Sequence, residues 1–182
     1  MRVVIVVLAA GSSQRLGVRK QDIMYEGETL LERAVRIAGD VSENVIVVTE
    51  ANNPDSAEGM ASSIRAGVRL AGSDARILFT LCDQPHVTAG HLRALIATDA
   101  PIVATTYAGV RGVPAIFAPQ FVPELLALHG DRGARSIINA HHDSVRTIPF
   151  EAAAADVDDG DDLRKLSGGK VVELIGIEPT TS

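Results

Sequence analysis

The chain has 182 residues, 46% of them hydrophobic, which suits one domain with a substantial core and is too short for several. A net charge of −6 argues against a nucleic-acid-binding surface, and no stretch is long and apolar enough to span a bilayer. Cys82 is the single cysteine, which excludes an intrachain disulfide and a cysteine-based zinc cluster. The apolar opening is short and leads into glycines rather than a cleavage site, so the expectation is a cytoplasmic protein.

Strand-like and helix-like runs alternate along the chain. In order, the patterns predict a strand over 3–8, a helix over 29–38, a strand over 45–49 and a helix over 60–70. A strand over 76–81, a helix over 89–97 and strands over 101–105 and 114–117 follow. Helices over 119–128 and 133–140, a strand over 144–148 and a helix over 159–166 complete the series. Leu30, Leu31, Ala34, Val35 and Ala38 form one apolar stripe on the first helix, and Thr88 is placed to cap the helix that follows it. The alternation predicts a mainly parallel, mixed sheet covered by helices on both faces, a single-domain three-layer α/β/α arrangement.

The first strand carries the strongest signal. Its unbroken apolar run, Val3 to Leu8, reads as buried on both faces, and it ends abruptly in AAGSSQRLGVRK. Ligands of open α/β sheets bind beyond the carboxyl ends of such strands. Small residues there let backbone N–H groups approach an anion, and Arg15 and Lys20 add positive charge. The spacing is not that of a P-loop, because Gly11 and Gly17 stand one residue too far apart and Gln21, not a hydroxyl residue, follows Lys20. The dinucleotide fingerprint is absent too, with Ser13 where its second glycine belongs.

LAAGSSQRLGVRK resembles the L-A-A-G-x-S-x-R-M-G-x-x-K signature of the molybdenum cofactor cytidylyltransferases, within the MobA-like NTP transferases, with Leu16 in place of methionine. Later segments extend the resemblance. ILFTLCDQPHVT resembles the family's L-x-D-Q-P stretch, with Cys82 where glycine is usual. DVDDGDDL resembles D-I-D-T-P-E-D-L, with Asp159 and Gly160 replacing threonine and proline. GMASSIRAG resembles G-M-x-S-S-L-R-A-G, while YAGVRGVPAIF and HGDRGARSII resemble segments on the acceptor side, with Val113 replacing a histidine.

The resemblance implies a Rossmann-like nucleotidyltransferase domain over residues 1–168, with 169–182 as a C-terminal strand or tail. It implies CTP as substrate, Mg²⁺ as cofactor, a molybdopterin-type acceptor and a molybdoenzyme client for the product. Lys20 and Arg15 are then the catalytic cations. Leu8, Ala9, Ala10, Gly11, Ser12, Ser13, Gly17, Gly59 and Ser63 hold the nucleotide. Asp83 and Asp158 bind the metal, and Gly112, Pro114, Asp131 and Arg135 face the acceptor. Read from the residues alone, Asp83 can instead cap the turn before Pro85, and 59–67 can be a serine-capped helix start without a ligand. Other readings to separate are a guanylyl-, sugar- or isoprenoid-type NTP transferase, a related oxidoreductase, and a molybdopterin-binding chaperone.

Overall fold

The computed structural model describes residues 1–10 and 19–155. A six-stranded sheet runs β4-β1-β5-β7-β6-β8 across the molecule. Its strands are β1 (Val3–Leu8), β4 (Val45–Val48), β5 (Arg76–Leu81), β6 (Ile102–Tyr107), β7 (Val110–Phe117) and β8 (Val145–Pro149). β1 pairs in parallel with β4 and β5, and β8 pairs in parallel with β6; β7 runs against both its neighbours. The mainly parallel mixed sheet expected from the alternation is the one observed.

Among the described residues five α-helices cover the sheet: α1 (Leu30–Gly39), α2 (Met60–Ala71), α3 (Ala89–Ala97), α4 (Val122–Leu126) and α5 (Ala134–Ala140). The two-residue period of the strands sorts side chains between two cores. Val4, Val6, Ile77 and Phe79 pack with α2, α4 and α5, while Ile5, Val7 and Leu78 pack with α1 and α3. β1 is buried from Val4 to Leu8, as its run of β-branched residues requires.

Local chemistry sets the helix starts. The Thr29 hydroxyl accepts from the Glu32 amide while the Glu32 carboxylate accepts from the Thr29 amide, a reciprocal cap. Thr88 accepts from the His91 amide at the start of α3, as expected. The helix expected over 119–128 is shorter: a 3₁₀ turn at Pro119–Phe121 leads into α4, whose end at Leu126 leaves the following loop free to reach α2.

Two features departed from the expectation. A small antiparallel pair, β2 (Met24–Tyr25) and β3 (Glu28–Thr29), turns through Glu26 and Gly27, both at positive φ. Its strands are too short to carry a periodic signal. β7 begins at Val110 rather than 114 and forms a hairpin with β6 through Ala108 and Gly109. Glycine and proline are poor strand formers, but Val113 and Pro114 fall in a bulge, where a missing N–H removes no ladder bond.

α2 is held by packing at one end and by charge at the other. Gly67 faces β1 so closely that an added methyl would lie 2.6 Å from a Val6 methyl carbon. Near its start, the buried Arg65 pairs with Glu58 and donates to the Leu128 carbonyl at 2.6 Å. The Gly130 amide donates to Glu58 at 3.0 Å, and the Ala61 amide donates to the Gly130 carbonyl at 3.1 Å. The last bond satisfies a first-turn N–H that no side chain caps.

Two predictions follow from this anchoring of α2. Gly67→Val inserts a stiff branched side chain against Val6 and is expected to destabilise the fold by about 2 kcal/mol in urea unfolding, since overpacking costs typically 1–3 kcal/mol. The Arg65 guanidinium and the Gly130 amide hold the Glu58 carboxyl down to about 2, below its ordinary 4.5. A lowered carboxyl stabilises the folded state above its unfolded pKa and stops doing so as pH falls through the folded one. Glu58→Gln should therefore flatten the stability–pH curve between about 4.5 and about 2 and leave its shape at neutral pH unchanged.

Candidate active site

The carboxyl ends of β1, β4 and β5 lie level, with Leu8 opposite both Val48 and Leu81. The Ala9 amide donates to the Val48 carbonyl at 2.8 Å and the Cys82 amide to the Leu8 carbonyl at 3.2 Å, so the pairing continues into the loops. The chain after β1 leads to α1 on one face of the sheet, and the chain after β4 leads to α2 on the other. Where neighbouring connections diverge in this way, an open α/β sheet forms a crevice. A cleft of about 290 Å³ opens there, with Ala9, Ala10, Lys20, Gly59, Ser63 and Asp83 in its walls.

Lys20 sits on a 3₁₀ turn, Lys20–Asp22, beside α1, and its ammonium is 3.0 Å from Asp83 Oδ2. The two side chains are 20% and 19% exposed, so the pair is shielded from bulk water without being sealed off. The second oxygen, Asp83 Oδ1, is buried and accepts no hydrogen bond from the described residues. A carboxylate oxygen left so carries a desolvation cost that a cation at this point would offset. Among the described residues no group of three or more His, Cys, Asp or Glu is arranged to hold a metal. An ion here would therefore share Asp83 with oxygen atoms of a ligand, as hard divalent cations commonly do at phosphate sites. Asp158 lies outside the described residues.

Burial pushes the neighbouring Cys82 thiol up to about 12, with Asp83 adding to the shift and Lys20 opposing it. It is protonated at neutral pH and is no nucleophile. Gln84, also buried, donates to the Val113 carbonyl at 3.3 Å and to the Ala153 carbonyl at 3.0 Å. It ties the Asp83 turn to β7 and to the segment that leads toward Asp158.

The opposite wall is the start of α2. Gly59 has φ +120°, a conformation that favours glycine, and an added methyl would overlap the Asp131 carboxylate. Buried Asn53 donates to the Ser62 and Ser63 hydroxyls at 3.0 and 3.1 Å. Ser63 accepts that bond and keeps its own proton to donate. Asp131 lines this cleft, beside Gly59.

A second hollow of about 120 Å³ adjoins the cleft, the two sharing Leu8, Met60 and Leu81. Gly112, Val113, Tyr107 and Arg135 also line it. Gly112 admits the Tyr107 hydroxyl, which would stand 2.6 Å from a methyl placed there. Pro114 sits behind this wall, its carbonyl accepting from the Thr105 hydroxyl at 2.6 Å. The structure thus brings Leu8, Ala9, Ala10, Lys20, Gly59, Ser63, Asp83 and Asp131 to one cleft and Gly112 and Arg135 to its neighbour. Gly11, Ser12, Ser13, Arg15 and Gly17 lie outside the described residues. Sequence reasoning missed Asn53, Gln84 and the Glu58–Arg65 pair; only Arg65, a cation within an apolar helix face, carried a signal that a carboxylate must lie near.

No helix among the described residues is long and apolar enough to cross a membrane. Residues 5–145 match the MobA-like NTP transferase domain. The chain is 27% identical over 164 residues to the purine catabolism protein PucB of Bacillus subtilis (strain 168), covering 74% of this chain and 80% of that one. It is 29% identical over 192 aligned positions to the nicotine blue oxidoreductase of Paenarthrobacter nicotinovorans, covering 88% of this chain and 94% of that one. The crystal structure of Rv0371c from Mycobacterium tuberculosis H37Rv superposes with a TM-score of 0.79 at 31% identity, covering 91% of this chain and 97% of that one. A manganese complex of Rv0371c superposes with a TM-score of 0.74 at 26% identity, covering 91% and 98%. With the family's pattern matched over residues 5–145, the chain belongs to the MobA-like NTP transferase domain family.

Proposed function

We propose that the protein is a cytidylyltransferase that moves CMP from CTP to the phosphate of a molybdopterin-type acceptor and releases pyrophosphate. The product, a cytosine dinucleotide of the cofactor, would pass to a molybdoenzyme client. The observation that carries the reading is the Lys20–Asp83 pair at the carboxyl end of β5, with Asp83 Oδ1 buried and given no donor by the described residues. The small residues Ala9, Ala10, Gly59 and Ser63 line the same cleft and leave backbone groups and a hydroxyl to read a base.

An acceptor phosphate oxygen bonds to the α-phosphorus, and the bond from that phosphorus to the bridging oxygen breaks, the electron pair leaving with pyrophosphate. The acceptor is already ionised at neutral pH, so no side-chain base is needed. Lys20 stabilises charge on the α-phosphate, where it changes most, and Arg15 with the amides of Ser12 to Gly17 holds the departing pyrophosphate. Asp83, together with Asp158, would hold Mg²⁺, which when bound neutralises charge on the triphosphate oxygens. Arg135, at the second hollow, offers a planar fork for an acceptor anion, and Gly112 gives the acceptor room beside it.

Isothermal calorimetry in magnesium is expected to show tighter binding of CTP than of GTP, and equal or tighter GTP binding would reject the base assignment. Lys20→Ala should lower the rate of pyrophosphate release by about 10²–10³ while weakening CTP binding far less, as for loss of one transition-state contact. Asp83→Asn should abolish metal-dependent pyrophosphate release and leave the unfolding midpoint nearly unchanged. The similarity to nicotine blue oxidoreductase favours a second reading, redox work on a small heterocycle. Oxidation of NADH or NADPH in an absorbance assay, without pyrophosphate release, would select it.

A further inference from the structure

We propose that Asp131 reads the nucleotide base, as a fixed acceptor for an exocyclic amine, and thereby sets the choice of cytosine over uracil; this rests on the nucleotidyltransferase reading above. The residue sits on the nucleotide cleft beside Gly59 and Ser63, not in the second hollow with Gly112, Val113 and Arg135. Its loop is fastened to the start of α2 by three hydrogen bonds: Arg65 to the Leu128 carbonyl, the Gly130 amide to Glu58, and the Ala61 amide to the Gly130 carbonyl. Gly59, lacking a side chain, leaves the space that one Asp131 carboxylate oxygen fills. The carboxylate is therefore placed by backbone and packing, which is what base discrimination requires of a reading group.

Charge decides what it can read. Lys20 stands on a turn that packs against α1, whereas Asp131 comes from the α2 side, on the other face of the sheet. Phosphates are drawn to the cation and repelled by the carboxylate, so the neutral end of the nucleotide meets Asp131. An ionised carboxylate only accepts hydrogen bonds. Among the described residues none donates to it. The amine of cytosine supplies the missing donor. Uracil presents a carbonyl oxygen at the same ring position and sets acceptor against acceptor.

Equilibrium binding of CTP, UTP and 2′-deoxyCTP, each with magnesium, tests this on the full chain and on Asp131→Asn and Asp131→Ala. The unaltered chain should prefer CTP to UTP by at least about tenfold, the scale of one hydrogen bond to a charged group. Asp131→Asn, whose amide also donates, should abolish or reverse that preference. Asp131→Ala should weaken CTP and leave UTP nearly unaffected, with thermal unfolding matching the unaltered chain because the side chain is exposed. An unchanged CTP-to-UTP ratio in both variants overturns the proposal. So does a change confined to CTP against 2′-deoxyCTP, which would assign Asp131 to the ribose. If the unaltered chain binds none of the three, the nucleotidyltransferase reading itself fails, an outcome separate from the other two.

Discussion

The level pairing of β1 with β4 and β5 is the constraint from which the rest of the site follows. Parallel strands in register deliver their carboxyl ends to one line, and here Leu8 stands beside Val48 and Leu81. Much of the cleft leaves from that line, Ala9 and Ala10 from β1, Asp83 from β5, and Gly59 and Ser63 from the chain after β4, while Lys20 and Asp131 are brought to it by the 3₁₀ turn beside α1 and by the loop before α5. A slip of one residue in β1 would send Ile5 and Val7 to the face of α2, where Gly67 is fitted closely against Val6, so the side-chain packing on both faces would have to be rebuilt. Each fully buried side chain of this size contributes roughly 1.5–3 kcal/mol, so the register is held by hydrophobic burial that has nothing to do with a ligand. The site borrows its geometry from the core.

Electrostatics then differentiates the cleft. Lys20 and Asp83 neutralise one another on one side, yet Asp83 keeps a buried oxygen to which no described residue donates. Across the cleft, Glu58 spends its charge on Arg65 and Gly130, which leaves Asp131 as the carboxylate that faces the opening there. The same functional group thus serves three ends, set by its partners: one carboxylate shared with a cation, one consumed in anchoring a helix, and one left with no described donor.

The fold was legible because β1 and β5 are continuous apolar runs and because Thr29 and Thr88 mark helix starts in single residues. Lys20, Asp83, Gly59 and Ser63 could be picked out for the cleft because each sits within a short motif at the end of a predicted strand or the start of a helix. What escaped reading depends on contacts between distant segments. Glu58, Arg65, Leu128 and Gly130 make one cluster, but nothing in their separate surroundings announces it. Asp131 was grouped with the acceptor segment by its neighbours in sequence, whereas the loop's three bonds to α2 carry it to the other cleft. The extension of β7 was hidden by Pro114, whose cost to a strand vanishes only once the bulge is known.

That bulge links the two hollows. Thr105 donates its hydroxyl to the Pro114 carbonyl, so His91 Nε2, 2.7 Å from the same oxygen, must be the donor to Thr105. The imidazole is stacked on Phe150, and burial lowers its pKa, so the ring is held in its neutral form with the proton of this bond on Nε2. One residue earlier, the Val113 carbonyl accepts from Gln84, the neighbour of Asp83. Val113 therefore stands in the wall of the second hollow while its backbone is bonded to the turn that presents the Asp83 carboxylate. In a transfer reaction the distance between acceptor and activated phosphate matters more than the affinity of either, because a near-attack geometry is where much of the rate comes from. A chain of hydrogen bonds through Gln84, Val113, Pro114 and Thr105 ties the two hollows together in a way that separate flexible loops would not.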